Sequence, residues 1–260
     1  MSMTYRGTTA LITGASAGLG TAFAEQFAAR GADLVLVARR EDRLRSLADR
    51  LQAAHGITAA VIPLDLARTD AATVLRAGLD ERGLRVQTLV NNAGFGMKGA
   101  FVDADPARIA EMVQVNVATL VGVTRAVLPE LVADGRGALV SVASTGAYQP
   151  CPNMAVYGAT KAFVLSFTEA LAYETKASGL RVLALSPGAT RTEFFDVVGT
   201  ADAAVGRYQS PTQVVELALR VLDGGRRPSI VSGRLNAASA KLAGLMPRRL
   251  TLAVSGRVLR

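Results

Sequence analysis

Seven short, unbroken apolar runs alternate with longer segments of helical period along almost the whole chain. The runs are Thr9–Thr13, Leu34–Ala38, Ala60–Leu64, Thr88–Val90, Ala138–Val142, Val182–Ser186 and Ser229–Val231. None shows the apolar/polar alternation of a half-exposed strand, so each predicts a strand buried on both faces. Between them lie Leu19–Arg30, Asp42–Ala54, Ala71–Arg82, Pro106–Leu131, Met154–Ala177 and Pro211–Leu222. These carry apolar residues at helical spacing, and Pro106 and Pro211 suit first helical turns. The strand–helix rhythm predicts one parallel sheet with helices on both faces. No repeat, low-complexity block or linker marks a second domain, and 260 residues suit one α/β domain with a sizeable core. Aromatics are 5% with no Trp, so Ala, Val and Leu must fill that core. The rhythm stops near Gly233, which divides the chain into a body, 1–232, and a tail, 233–260.

The formal charge of +8 comes from the last part of the chain, which begins just before that tail. No acid follows Asp223, whereas Arg226, Arg227, Arg234, Lys241, Arg248, Arg249, Arg257 and Arg260 are basic. A basic tail on a nearly neutral body is not a nucleic-acid groove, and aromatics for base stacking are scarce. One cysteine, Cys151, and one histidine, His55, make neither a disulfide nor a Cys/His metal cluster, so no metal is expected. Met1 to Gly7 lacks the apolar stretch of a signal peptide. The uncharged run 137–160 is broken by Gln149, Pro150, Pro152 and Asn153, which excludes a spanning helix there. These readings together point to a cytoplasmic protein.

Gly14, Gly18 and Gly20 follow the first strand run. They let the backbone turn sharply, so that the N–H groups opening the next helix, with Ser16 and Leu19 nearby, face a pyrophosphate. The second strand run ends on Arg39 and Arg40 instead of the acid that usually holds an NAD ribose hydroxyl. A guanidinium pairs well with a 2′-phosphate, and Ser16 adds a hydroxyl, so NADP(H) is the expected cofactor. Near the start of a predicted helix, Tyr157 and Lys161 are four apart and share one face. A cation beside a phenol favours the phenolate, the tuning that proton transfer at neutral pH needs.

The combination of Thr13–Gly20, Asn91-Asn92-Ala93-Gly94, Asn116, Ser144, Tyr157-x-x-x-Lys161 and Pro187-Gly188, in order and spacing, resembles the short-chain dehydrogenase/reductase family in its compact single-domain branch. The resemblance covers residues 8 to about 195. It implies a Rossmann-like, doubly wound fold with a seven-stranded parallel sheet. It further implies that Tyr157 exchanges the proton and that Ser144 binds the substrate oxygen. Lys161 would hold the nicotinamide ribose and lower the Tyr157 pKa, and Asn116 would position a relay water. Asp65 and Leu66 would face the adenine, Asn92, Ala93 and Gly94 the adenine ribose, and Pro187, Gly188 and Thr192 the nicotinamide.

Phe95, Met97, Phe101, Tyr148, Cys151, Met154, Phe194 and Phe195 are the residues expected around the substrate, which predicts a small apolar carbonyl compound or alcohol. Alternatives are a β-ketoacyl thioester reductase, whose acidic carrier would dock on the basic tail, and a non-catalytic NADP-binding regulator. Family resemblance implies a homodimer or homotetramer joined through 106–131 and 154–177. The tail, with its leucines and six of those eight bases, is expected to be a lid, a subunit contact or, less simply, a membrane-surface segment, because Pro247 and Gly256 interrupt any long amphipathic helix.

Overall fold

The computed structural model describes residues 3–194, 198, 208–225 and 227–258. All seven expected strands form: β1 (Thr9–Thr13), β2 (Asp33–Ala38), β3 (Ala59–Pro63), β4 (Thr88–Asn91), β5 (Ala138–Val142), β6 (Arg181–Ser186) and β7 (Ser229–Val231). They pair in parallel in the order β3-β2-β1-β4-β5-β6-β7. The chain therefore winds outward from β1 to β3, returns to the middle at β4, and winds outward the other way. That reversal leaves a crevice beyond the carboxyl ends of β1 and β4, where the loops diverge.

Side chains one apart on a strand face opposite ways, and the core splits accordingly. Ala10, Ile12, Leu34 and Leu36 pack with Phe23 and Phe27 of α1 (Gly18–Ala28), Leu44 and Leu51 of α2 (Glu41–His55) and Val215 and Leu219 of a later helix. Leu11, Val35 and Val37 pack on the other face with Leu75 and Leu79 of α3 (Ala71–Glu81) and with Val127 and Leu131. Both layers are dry, which is why each strand reads as a continuous apolar run.

The predicted helix 106–131 is three pieces: α4 (Pro106–Val113), a π-helical turn (Gln114–Thr119) and α5 (Leu120–Asp134). The whole run Pro106–Asp134 is long and apolar enough to pass for a membrane span, yet Val123, Val127 and Leu131 bury it against the sheet. The helix α6 (Ala155–Glu174) follows β5, and α7 (Pro211–Gly224) opens with a Ser210–Gln213 capping box. The described part of the tail is helical, as α8 (Arg234–Leu245) and α9 (Arg248–Val258), with Pro247 at the break between them. Its anchors are small or polar, namely Ala240, Thr251 and Ser255, so apolar periodicity gave no sign of them.

Candidate active site

One cavity of about 590 Å³ opens at the switch point, lined from the glycine turn to the start of α8. At its first end the backbone is pulled tight. The Asn92 amide donates to the Thr13 and Gly14 carbonyls at 2.9 and 3.1 Å, and the Thr13 hydroxyl accepts from the backbone N–H groups of Asn92 and Ala93. Gly14 and Gly18 have φ of 67° and 57°, and a Cβ on Gly20 would stand 2.2 Å from the Gly14 carbonyl oxygen. So the turn needs glycine at 14 and 18 for conformation, and at 20 because α1 presses against the loop. Ala17, at the N-cap of α1, has no side-chain oxygen to occupy the first free N–H groups, which suits a pyrophosphate there. Gly20 itself is buried beneath the cavity wall instead of lining it.

Arg39 and Arg40 reach the same cavity from the end of β2. Arg40 Nε and Nη2 each donate to Ser16 Oγ at 3.2 Å, so the expected hydroxyl and guanidinium do meet. Arg39 lies 3.7 Å from Glu111 on α4, and Glu111 also accepts from Arg108 at 2.5 Å. Asp65 and Leu66 line the wall between them, and Asp65 also caps its own turn by accepting from Ala67 N–H at 3.0 Å. The glycine cradle, the free helix N-terminus and the Ser16–Arg40 pair together fit a phosphorylated dinucleotide.

At the opposite end Ser144 follows β5, and Tyr157 and Lys161 stand one turn apart on α6, all three on the cavity wall. Tyr157 has a side-chain hydrogen bond with Ser144, which acts to lower its pKa, but burial dominates and pushes the phenol up to about 12. Burial also pulls the Lys161 ammonium down to about 8. Lys161 Nζ donates to the Val142 carbonyl at 2.8 Å and sits 5.9 Å from the Tyr157 ring centre. The expected downward pull of Lys161 on the phenol is not among the influences on Tyr157 here, and desolvation sets the direction. Asn116, on the π-helical turn, is buried behind the wall. Its amide donates to the Phe95 carbonyl at 2.9 Å and to Thr160 Oγ1 at 3.1 Å, and its oxygen accepts from Phe95 N–H. A Cβ on Gly94 would lie 2.9 Å from Asn116 Oδ1 and 3.3 Å from Lys161 Nζ, so these two groups converge on Gly94.

Of the expected substrate residues, Phe95, Cys151, Met154 and Phe194 line the cavity, and Phe194 packs on Tyr157 with ring centres 5.5 Å apart. Met97 does not. The Tyr157 and Phe194 rings close on Gly96, so the wall ends before Met97. Phe101 points to solvent at 65% exposure. Tyr148 lies outside the cavity lining, next to Ser186, and Phe195 lies outside the described residues. Pro187, Gly188 and Thr192 border the cavity as expected. Burial raises the Cys151 thiol to about 11, leaving it a protonated lining group. Sequence reasoning missed Gln149, Glu193 and the α8 residues Leu235, Asn236, Ser239 and Ala240. Asn236 and Ser239, polar and three apart in an apolar–basic stretch, were the one available signal for the last group.

The model of the short chain dehydrogenase family matches residues 8–202. Sulfoacetaldehyde reductase 2 of Chromohalobacter salexigens is 40% identical over 214 residues, 80% of this chain and 84% of that protein. Among solved structures, a short-chain dehydrogenase from Sphingobium yanoikuyae in complex with NADPH is 36% identical with a TM-score of 0.81, covering 92% of this chain and 94% of that one. The bulky-bulky ketone specific alcohol dehydrogenase from Comamonas testosteroni is 34% identical with a TM-score of 0.76, covering 92% and 93%. With the glycine turn, Ser144, Tyr157 and Lys161 gathered on one cavity, the chain belongs to the short-chain dehydrogenase family and is an oxidoreductase acting on CH–OH groups.

Proposed function

We propose that this protein is an NADPH-dependent carbonyl reductase for uncharged, largely apolar ketones or aldehydes. The observation that carries the reading is the shared cavity, with Ser16, Arg39 and Arg40 at one end and Ser144 and Tyr157 at the other. When bound, the nicotinamide supplies the hydride. Ser144 donates a hydrogen bond to the substrate oxygen and stabilises the charge that develops there. Tyr157 then delivers its proton to the same oxygen. A phenol held near 12 is protonated throughout the neutral range, the form from which a carbonyl oxygen can take its proton. Lys161 and Asn116, converging on Gly94, hold the ribose side of the site and serve reprotonation of Tyr157.

Cys151, Met154 and Phe194 pack with Tyr157, and the same cavity is lined by Leu235 and Ala240 and by the uncharged polar groups Gln149, Asn236 and Ser239. Apart from Lys161 and Asp65, the charged lining residues are tied into ion pairs at the arginine end, Arg108–Glu111–Arg39 and Arg40–Glu193. A small sulfonated aldehyde, suggested by the name of the relative from Chromohalobacter, would find no cation near Tyr157 other than Lys161 among the described lining residues. The walls suit bulky ketones better. NADPH oxidation across bulky ketones, sulfoacetaldehyde and β-ketoacyl thioesters, with Tyr157→Phe as the blank, tests this. Tyr157-dependent turnover fastest on bulky ketones is expected, whereas fastest turnover of the sulfonate or the thioester overturns the substrate reading. NADPH binding without turnover on any of them would favour a non-catalytic regulator.

We propose further that α4–α6 carry a homo-oligomer contact, supported by exposed Val113, Phe163 and Tyr173, and that the protein works in the cytoplasm. α8 is a wall of the substrate pocket, and the exposed Leu242, Leu245, Leu250, Leu252 and Val254 of α8 and α9 serve as a second contact surface. Flotation with anionic vesicles, comparing the full chain with one ending at Gly233, separates the two occupants of that surface. Loss of flotation on truncation assigns it to lipid, and no flotation of either form removes the lipid reading.

A further inference from the structure

Glu193 joins the two lips of the cleft. Its Oε2 accepts from Arg40 Nη1 at 2.8 Å and its Oε1 from Arg43 Nη1 at 2.5 Å, across 153 and 150 residues of sequence. Both arginines stand where β2 hands over to α2, and Glu193 comes from the segment after β6, on the far side of the switch point. Arg40 is thereby divided between Ser16 Oγ and the Glu193 carboxylate. The neighbours of Glu193 are seated in the site as well. Thr192 packs against Gly18, where a Cβ would come within 2.9 Å of its methyl group, and Phe194 packs on Tyr157. The carboxylate is therefore aimed at the arginines by residues on both sides of it. It remains 44% exposed, so an arriving anion can displace it.

We infer that Glu193 is a specificity-determining residue for the cofactor: it is a resident anion on Arg40 that a 2′-phosphate displaces and a 2′-hydroxyl does not. The inference rests on the NADPH reading above. A phosphate brings nearly two charges and three acceptor oxygens to a guanidinium, against one charge on a carboxylate. Exchange therefore favours the phosphate, and Arg43 keeps Glu193 in an ion pair after Arg40 has let go. A ribose hydroxyl offers no charge, so the Arg40–Glu193 bridge stays closed above an unphosphorylated dinucleotide. Glu193 thus lowers the affinity for NADPH through competition and like-charge repulsion, and leaves NADH nearly untouched.

Kd values for NADPH and NADH, from the fluorescence of the reduced nicotinamide, test this with wild type, Glu193→Gln, Glu193→Asp, Arg40→Ala and the Arg40→Ala/Glu193→Gln double variant. Glu193→Gln should tighten NADPH about threefold to tenfold at low salt and leave NADH within about twofold, as fits the loss of one exposed charge. The gain should shrink at about 0.5 M salt, where exposed charges are screened. Glu193→Asp should behave like wild type, and the gain should be absent when Arg40 is already alanine. Glu193→Ser must repeat the Gln result, which guards against an effect of the new amide. Unchanged NADPH affinity in Glu193→Gln, or an equal shift for both cofactors, overturns the inference. Should wild type bind both cofactors equally, the NADPH reading fails and the inference with it. Preference for NADPH in wild type with no gain in Glu193→Gln removes the inference alone.

Discussion

Replacing Lys161 with methionine should make the protein more stable while removing its activity. The ammonium is 5% exposed and has one hydrogen bond in the structure, to the Val142 carbonyl. Burial lowers its pKa from 10.5 to about 8, so the folded state holds this proton less tightly than the unfolded chain. At 1.36 kcal/mol for each pH unit, keeping the charge inside costs about 3 kcal/mol below pH 8. The bond to Val142 returns about 1 kcal/mol, which leaves a net gain of about 2 kcal/mol for an apolar side chain of similar length. In a domain of this size that is a rise in Tm of about 4 °C. Between pH 8 and 10.5 the unfolded chain binds the proton and the folded protein does not, so wild-type stability climbs with pH across that window. The gap between variant and wild type should accordingly be full at pH 6.5 and close by pH 10.5. Melting both proteins by calorimetry across this range measures it, without added cofactor. A Lys161→Met protein that melts lower than wild type at pH 6.5, or a gap that does not narrow with pH, would refute the reasoning.

Other changes have equally definite outcomes. Ser144→Ala should lower kcat about 100- to 1000-fold with little change in NADPH affinity, since its hydroxyl bonds with Tyr157 and, on the proposed reading, would bind the substrate oxygen; steady-state kinetics with a cofactor titration checks both. Gly20→Ala should destabilise the protein by about 2 kcal/mol and weaken cofactor binding, because the new Cβ meets the Gly14 carbonyl, a backbone atom that cannot step aside. Cys151, raised to about 11, should resist iodoacetamide at pH 7.5 in the folded protein and react promptly in denaturant; rapid native labelling would mean that the thiol is open.

What the sequence discloses and what it conceals follow from the range of each signal. Strands such as Leu34–Ala38 sit between two apolar layers, so burial writes an unbroken run that can be read locally. The glycine turn and the Tyr157–Lys161 pair are also local, one through backbone conformation and the other through helical spacing. The Ser16–Arg40 contact was legible because two neighbouring βα junctions of a parallel sheet must open on the same edge. Glu193 was not, since nothing near residue 193 says that it will face α2 across the cleft. Met97 shows the opposite error: nearness to Gly94 in sequence suggested a pocket position, but the rings of Tyr157 and Phe194 close on Gly96 first. The α8 wall was hidden because Asn236, Ser239 and Ala240 are too small and polar to mark a buried helix by period.

The π-helical turn at Gln114–Thr119 has a bearing on which length changes this chain tolerates. Such a turn spends about one residue more than an α-helical turn on the same full rotation. Here the surplus lets two unrelated demands be met on one rod: Asn116 must reach Phe95 and Thr160, and Val123, Val127 and Leu131 must face the sheet. Deleting a single residue between 114 and 119 would heal the helix into regular geometry and shorten nothing else. The flanking helices would keep their phase, with Val123, Val127 and Leu131 still on the sheet, but the widened turn that carries Asn116 to Phe95 and Thr160 would be gone. The most regular version of this helix is therefore one that loses its asparagine contacts while keeping its core face, and the site depends on an irregularity one residue long.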